Sequence, residues 1–387
     1  MSRRRGNSRK NTSVTFFALI IIFILGIVYA LTGRDPGGLF ATPTAVAGAP
    51  TAVNASGMGW EVYFTDPVHV NNPEDVQSSI EGRLIEKINA AQSSIHIVSF
   101  EFDLTPVAQA LISAKRRGVD VRWVTDDENG LEVDAEPGHG QFALLEGAGI
   151  EVLADTRSAL MHNKFWIFDG QSVWTGSTNI TVSGIYQQNN NTVVVHSPQV
   201  AAIYEREFEE MWNGQFGPTS PSTADQQSAV VNGMPIQVYF SPEDDVMNRI
   251  IPVVRGAQSS IRFLAFSFTD FPLAEAMIDR AGRGVDVAGV FEKVGSETES
   301  SELRTLYCAR IPVRQDGNPR FLHDKLIILD NRYVITGSFN FSTNATENND
   351  ENVIIIDNAE IASLYMQEFG RVWSIATDPD PAELPCQ

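Results

Sequence analysis

The chain carries one unit twice, and this duplication limits its possible folds more than any other feature. Val62-Tyr63-Phe64 recurs as Val238-Tyr239-Phe240. AQSSIHIVSFEF, from Ala91, recurs as AQSSIRFLAFSF from Ala257. Arg117-Gly118-Val119-Asp120-Val121 returns letter for letter from Arg283. HNKFWIFDGQSVWTGSTN from His162 is answered by HDKLIILDNRYVITGSFN from His323. Tyr204, Glu207, Phe208 and Trp212 match Tyr365, Glu368, Phe369 and Trp373 at a constant offset of 161. The copies occupy 59–214 and 236–376, joined by a polar connector at 215–235 and followed by a tail at 377–387. Each copy is long enough to be a domain-sized unit. A residue set present once per unit can therefore meet its twin where two such units pack together.

β-rich and helical patterns alternate within each copy. IHIVSFEF has strand composition, and PVAQALISAKRRG after it has helical spacing with glycine as its stop. VDVRWV is a second strand, and MHNKFWIFD with SVWTGS predicts a strand–turn–strand around Asp169-Gly170. Ala201 to Trp212 is amphipathic and helical. The alternation predicts an α/β fold: two pseudo-twofold-related units, with mixed, largely parallel sheets flanked by helices.

The chemistry is concentrated in one template, H-x-K-x4-D-x6-G-S-x-N, present in both copies. The first comprises His162, Lys164, Asp169, Gly176, Ser177 and Asn179; the second comprises His323, Lys325, Asp330, Gly337, Ser338 and Asn340. On a strand, period 2 places His and Lys of each pair on one face. Burying a lysine there is unfavourable unless an anion lies opposite. The pattern thus points to an anion held between two histidines and two lysines.

This template resembles the signature of the phospholipase D superfamily, and the likeness covers about three-quarters of the chain. It implies two α/β units with one active site at their interface. It also implies metal-independent phosphodiester cleavage through a phosphohistidine. Lys164 and Lys325 then supply positive charge to the non-bridging oxygens, and Asn179 and Asn340 donate amide hydrogens to them. Ser177 and Ser338 bond locally beside the phosphate. One histidine attacks phosphorus and the other protonates the leaving oxygen. Family members usually carry a carboxylate about 28 residues beyond the histidine, bonded to the ring's other nitrogen. Twenty-eight residues beyond His323 stands Glu351; the same step from His162 reaches Asn190. A carboxylate favours the protonated ring and an amide leaves it neutral. This pairing assigns His162 as nucleophile and His323 as general acid/base. Asp169 and Asp330, at a strand-to-turn junction, are expected to bond turn backbone rather than substrate.

Charge and the N-terminus bear on the substrate. The formal charge of −20 conceals six basic residues and no acid in 1–34, so the remainder has 22 Lys+Arg against 48 Asp+Glu, or −26. Such a body repels nucleic acid at long range. Residues 1–13 form a basic tail, and 14–31, VTFFALIIIFILGIVYAL, carry no charge. That run predicts a transmembrane anchor or a signal sequence, with the body translocated. Residues 32–58 have tether composition. An extracytoplasmic body would allow Cys308 and Cys386 to pair. The acidic loop 126–139 is expected near the pocket mouth, and no motif for a metal or another cofactor stands out. The expected function is phospholipase D-type hydrolysis or headgroup transfer on phospholipids. The alternatives are an exported nuclease and a cardiolipin-type phospholipid synthase.

Overall fold

Runs rich in β-branched and aromatic residues form the sheets. Lys164–Phe168 and Ser172–Gly176 are buried at every position, as strands covered on both faces require. The structure, a computed structural model, describes residues 53–54 and 59–386. The basic tail, the apolar run at 14–31 and most of the 32–58 tether lie outside the described residues. Among the described residues no helix is long and apolar enough to cross a membrane.

The first copy contributes β1 (Val53–Asn54), β2 (Trp60–Phe64), β3 (Ser94–Ser99), β4 (Asp120–Thr125), β5 (Glu151–Ala154), β6 (Lys164–Phe168), β7 (Ser172–Gly176), β8 (Gln188–Asn189) and β9 (Asn191–His196). The second contributes β10 (Ser228–Val231), β11 (Met234–Ser241), β12 (Ser260–Ala265), β13 (Asp286–Phe291), β14 (Val313–Gln315), β15 (Phe321–Leu322), β16 (Lys325–Leu329), β17 (Tyr333–Gly337) and β18 (Glu351–Asp357). The sheets have matching orders: β1-β2-β9-β7-β6-β3-β4-β5 and β10-β11-β18-β17-β16-β12-β13-β14.

The sheets are mixed, but the largely parallel arrangement expected from sequence is corrected. Within the two eight-stranded sheets, only β3-β4-β5 and β12-β13-β14 are parallel and the other ladders are antiparallel; the short β8–β15 pair outside them is parallel. The helices Thr105–Arg116 and Phe271–Gly282 make true crossovers. β6–β7 and β16–β17 instead close as tight hairpins, with Asp169-Gly170 and Asp330-Asn331 at positive φ. The connector also differs from expectation. Its end forms β10, which turns through Asn232-Gly233, both at positive φ, into β11.

Helices Pro198–Trp212 and Ala359–Ile375 share one apolar core with residues from both sheets, including Val62, Phe165, Val238, Leu326, Tyr204 and Tyr365. Each sheet has a second core on its other face: around Trp123 and Trp166 in the first copy, and around Phe263 and Phe291 in the second. The C-terminal tail packs on the second copy, where Leu384 is buried and Cys386 forms a disulfide with Cys308.

Candidate active site

Both motif histidines stand two residues before the first residue of a strand, β6 or β16, at the seam between the copies. Each is tied by its backbone to the opposite copy. Met161 bridges Asp350, and His162 N–H donates to the Asp350 carbonyl at 2.9 Å. β15 pairs in parallel with β8, and His323 N–H donates to the Asn189 carbonyl at 2.9 Å.

That exchange corrects the expected histidine partners. Glu351 follows Asp350, and its Oε2 lies 2.7 Å from His162 Nδ1. Asn190 follows Asn189, and its Oδ1 lies 2.9 Å from His323 Nδ1. Glu351 therefore serves the first histidine and Asn190 the second, the reverse of the within-copy pairing. The 28-residue spacing was sound; the register between the copies carries each partner across the seam. Asn190 Nδ2 donates to the Gly184 carbonyl at 2.9 Å, which orients its Oδ1 toward the ring. With an acceptor at each Nδ1, Nε2 is the nitrogen left for substrate.

The lysines are buried, Lys164 being 3% and Lys325 1% exposed. Lys164 Nζ donates to the His162 carbonyl at 2.9 Å and Lys325 Nζ to the His323 carbonyl at 2.8 Å. Phe100 packs edge-on against His162 with Lys164 over its ring; Phe266 does the same for His323 and Lys325. Burial pulls Lys164 down to about 8 and Lys325 well below its ordinary value, each carboxylate nearby opposing the fall. Burial and both lysines hold both histidines well below their ordinary values, so the rings rest neutral. These mutual effects bring the two His–Lys pairs into one electrostatic site. Burial raises Glu351 to about 7 against the pull of Lys164.

The motif glycines are explained by packing. At Gly176 a Cβ would lie 2.2 Å from the Asn191 carbonyl oxygen; at Gly337, 2.2 Å from that of Asn352. Both residues also have positive φ, so a side chain is excluded twice over. The following serines anchor the next strand: Ser177 Oγ accepts from Asn191 N–H at 3.1 Å and donates to Asn190 Oδ1 at 2.9 Å. Ser338 Oγ accepts from Asn352 N–H at 3.0 Å and bonds Glu351. Asn179 Nδ2 donates to Glu101 at 3.1 Å. The amide oxygens of Asn179 and Asn340 are buried without a hydrogen-bond partner among the described residues.

Asp169 accepts from the backbone of Gln92, Ser93 and Ser94, and Asp330 from that of Gln258, Ser259 and Ser260. These carboxylates clasp the hairpin turn to the start of β3 and β12. Partial burial pushes them up, but the hydrogen bonds win and hold them below the usual range.

Several site residues escaped the motif. Thr175 donates to Asn352 and Thr336 to Asn191, both at 2.8 Å and both across the seam. Asn352 Nδ2 donates to Asn163 at 2.9 Å, and Asn191 Nδ2 to Asp324 at 2.6 Å. Thr175/Thr336 and Asn191/Asn352 recur at the same offset of 161, and that recurrence could have revealed them. At the start of the acidic loop, carboxylate oxygens of Asp126 and Asp127 lie within 4.8 Å of one another and of one from Asp155, which follows β5. Met161 N–H donates to Asp126 at 3.0 Å, which attaches the loop beside His162.

Two like α/β units sharing two His–Lys pairs define a phosphodiesterase-type hydrolase. The chain belongs to the phospholipase D superfamily: the family described as "Cardiolipin synthase, PLD-like domain" matches residues 84–212 and 250–373, more than half of it. A phospholipase D of Rickettsia bellii is 36% identical over 134 residues, 35% of this chain and 67% of that protein. The human mitochondrial cardiolipin hydrolase is 34% identical over 130 residues, 34% of this chain and 52% of that protein. The chain thus spans two-thirds or less of these relatives' length. Phosphatidylserine synthase of Haemophilus influenzae Rd KW20 shares the fold, with a TM-score of 0.61 at 13% identity over 84% of this chain and 89% of that one.

Proposed function

We propose that the enzyme cleaves the distal phosphodiester bond of phospholipids through a covalent phosphohistidine on His162. The observation that carries this reading is two buried His–Lys pairs at one seam, each ring with its Nδ1 engaged. A phosphodiester anion between Lys164 and Lys325 offsets the burial of both charges, and the amides of Asn179 and Asn340 donate to its oxygens. The same anion raises His323, which takes up a proton at Nε2.

His162 Nε2 then attacks phosphorus in line. The P–N bond forms, the P–O bond to the headgroup breaks, and His323 Nε2–H protonates the leaving oxygen. The phosphorylated His162 ring is cationic for the life of the intermediate, and Glu351 faces its Nδ1–H. Asn190 offers His323 no such charge, so that ring gives its proton up more readily. His162 thus keeps the nucleophile's role, for a reason opposite to the one the sequence suggested. In the second half-reaction His323 takes a proton from water, the water oxygen attacks phosphorus, and His162 leaves.

Transfer to a lipid alcohol uses the same intermediate with the alcohol in place of water. The synthase description of the matching family supports this as a second reading. We place the body outside the cytoplasmic membrane, held there by residues 14–31 or released after their cleavage. The uncharged run behind a basic tail and the Cys308–Cys386 disulfide support this placement.

The test offers the full-length chain phosphatidylcholine vesicles and single-stranded DNA in parallel, in EDTA, with His162→Asn as control. Choline release that disappears in the variant is the expected result. DNA cleavage without lipid turnover would overturn the phospholipid reading.

A further inference from the structure

The copies differ at a position beside the side chains to which the proposed function gives the phosphate. Phe100-Glu101-Phe102 aligns with Phe266-Ser267-Phe268. The phenylalanines keep their places against the histidines and in the cores, whereas Glu101 puts a carboxylate where the second copy has a hydroxyl. Glu101 is partly exposed and, among the described residues, accepts one hydrogen bond, from Asn179 Nδ2 at 3.1 Å. It also interacts electrostatically with Lys164. It therefore borders the same amide and ammonium that the proposed mechanism gives to the phosphate.

A carboxylate beside an anion seat repels the ligand unless a cation stands between or beyond them. Lys164 already serves the phosphate. Burial pushes the Glu101 carboxyl up from its ordinary value, with Asp103 and Asp126 adding to the rise and Lys164 and His139, at the end of the acidic loop, opposing it. Asp103 is spent on the Val182 N–H, and Asp126 on Asn129 and Met161 N–H groups, whereas Glu101 has the Asn179 amide alone. The second copy keeps one of these three acids: Glu292 matches Asp126 and is bonded by the Val294 and Leu322 N–H groups, whereas Ser267 replaces Glu101 and Thr269 replaces Asp103.

From this asymmetry we infer that Glu101 is a specificity-determining residue: it seats an ammonium group carried by the phosphodiester, so zwitterionic substrates are preferred to neutral or anionic ones. This rests on the phosphodiester-binding reading above and narrows its substrate class. It also gives the acidic loop a function: Asp126 ties the loop to Met161 beside His162, and negative charge near the site admits a zwitterion and turns away a polyanion.

The test compares two substrates that differ only in charge: 4-nitrophenyl phosphorylcholine and its 3,3-dimethylbutyl isostere, in which carbon replaces the quaternary nitrogen. The full-length wild type is expected to prefer the cationic ester by roughly 10- to 100-fold in kcat/KM. Glu101→Gln, an isosteric change, and Glu101→Ser, which copies the second half, should each bring the ratio close to one. Thermal melts verify that both variants are folded. If Glu101 is only the counter-ion of Lys164, or only orients Asn179, both substrates suffer alike and the ratio survives, which overturns the inference. A wild type without preference overturns it too. Phosphatidylcholine and its dimethylbutyl analogue in neutral micelles form a second arm. Failure there with a Glu101-dependent ratio for the soluble pair would leave the ammonium seat standing and remove the phospholipid reading.

Discussion

The two histidines occupy nearly superimposable settings and face different partners. Lysine-to-carbonyl distances are 2.9 and 2.8 Å, and ring-to-phenylalanine distances 4.8 and 4.7 Å. Both glycines meet a carbonyl at 2.2 Å. Against that sameness, His162 has a buried carboxylate at Nδ1 and His323 a neutral amide. Duplication preserved the scaffold that aims the side chains. The difference in labour lies at polar positions around the two rings where the copies diverge, among them Glu351 against Asn190, Glu101 against Ser267, and Asp324 against Asn163.

The largest effect should come from removing either ring, and leaving-group chemistry separates the two. His162→Asn and His323→Asn are each expected to lower phospholipid turnover by about 10⁴-fold or more. A 4-nitrophenyl ester needs no protonation to leave. His323→Asn should therefore still show a burst of nitrophenolate in stopped flow, and His162→Asn should show none. Equal bursts would erase the division.

Exchanging the partners is the next test. Glu351→Gln should lower kcat by about 100-fold. Asn190→Asp should change kcat by about tenfold or less while raising the pH at which His323 loses its proton, since a carboxylate favours the charged ring. Both effects are read from the pH dependence of kcat.

A smaller effect concerns Lys164, brought to about 8 by burial. It is charged below that pH and neutral above, so kcat/KM, which reports the free enzyme, should fall as pH rises through about 8. Glu101 opposes the drop in Lys164. Its replacement by Gln should move this limb to lower pH by about one unit or less.

The smallest effect concerns stability at the seam. Glu210 corresponds to Arg371, so one flank has Glu207 near Glu210, Glu243, Asp244 and Asp350, while the other pairs Glu368 with Arg371. Burial and the neighbouring carboxylates raise Glu243 from 4.5 to about 8. The folded chain therefore holds that proton more tightly, and stability should decline as pH rises from about 4.5 to about 8. Glu243→Gln should raise Tm at pH 8 by about 2–4 °C, with less change at pH 5.

Much of this was legible in the sequence because it is written in duplicate. The repeats located both His–Lys pairs, the hairpin turns and the shared seam. Strand direction was less accessible, since an antiparallel hairpin and a parallel crossover both begin with an apolar run. The short Asn232-Gly233 turn marked β10, but lay hidden in a connector of polar composition. The histidine partners were found at the right positions and given to the wrong rings. Spacing within one copy carries no information about which copy's strand pairs with which, and the bonds of His162 to Asp350 and His323 to Asn189 settle that in three dimensions. Glu101 went unnoticed because repeat matching rewards agreement, and its significance is a disagreement.

The measurement that tests the account most directly is the site of the covalent adduct. His323→Asn and His162→Asn are each mixed with a 4-nitrophenyl phosphodiester, quenched at alkaline pH, digested and mapped by mass spectrometry. The account predicts a phosphoryl group on the His162 peptide in His323→Asn, and no adduct in His162→Asn. An adduct on His323 in the His162→Asn protein, with none on His162 in the other, would contradict it and give the nucleophile's role to the amide-backed ring.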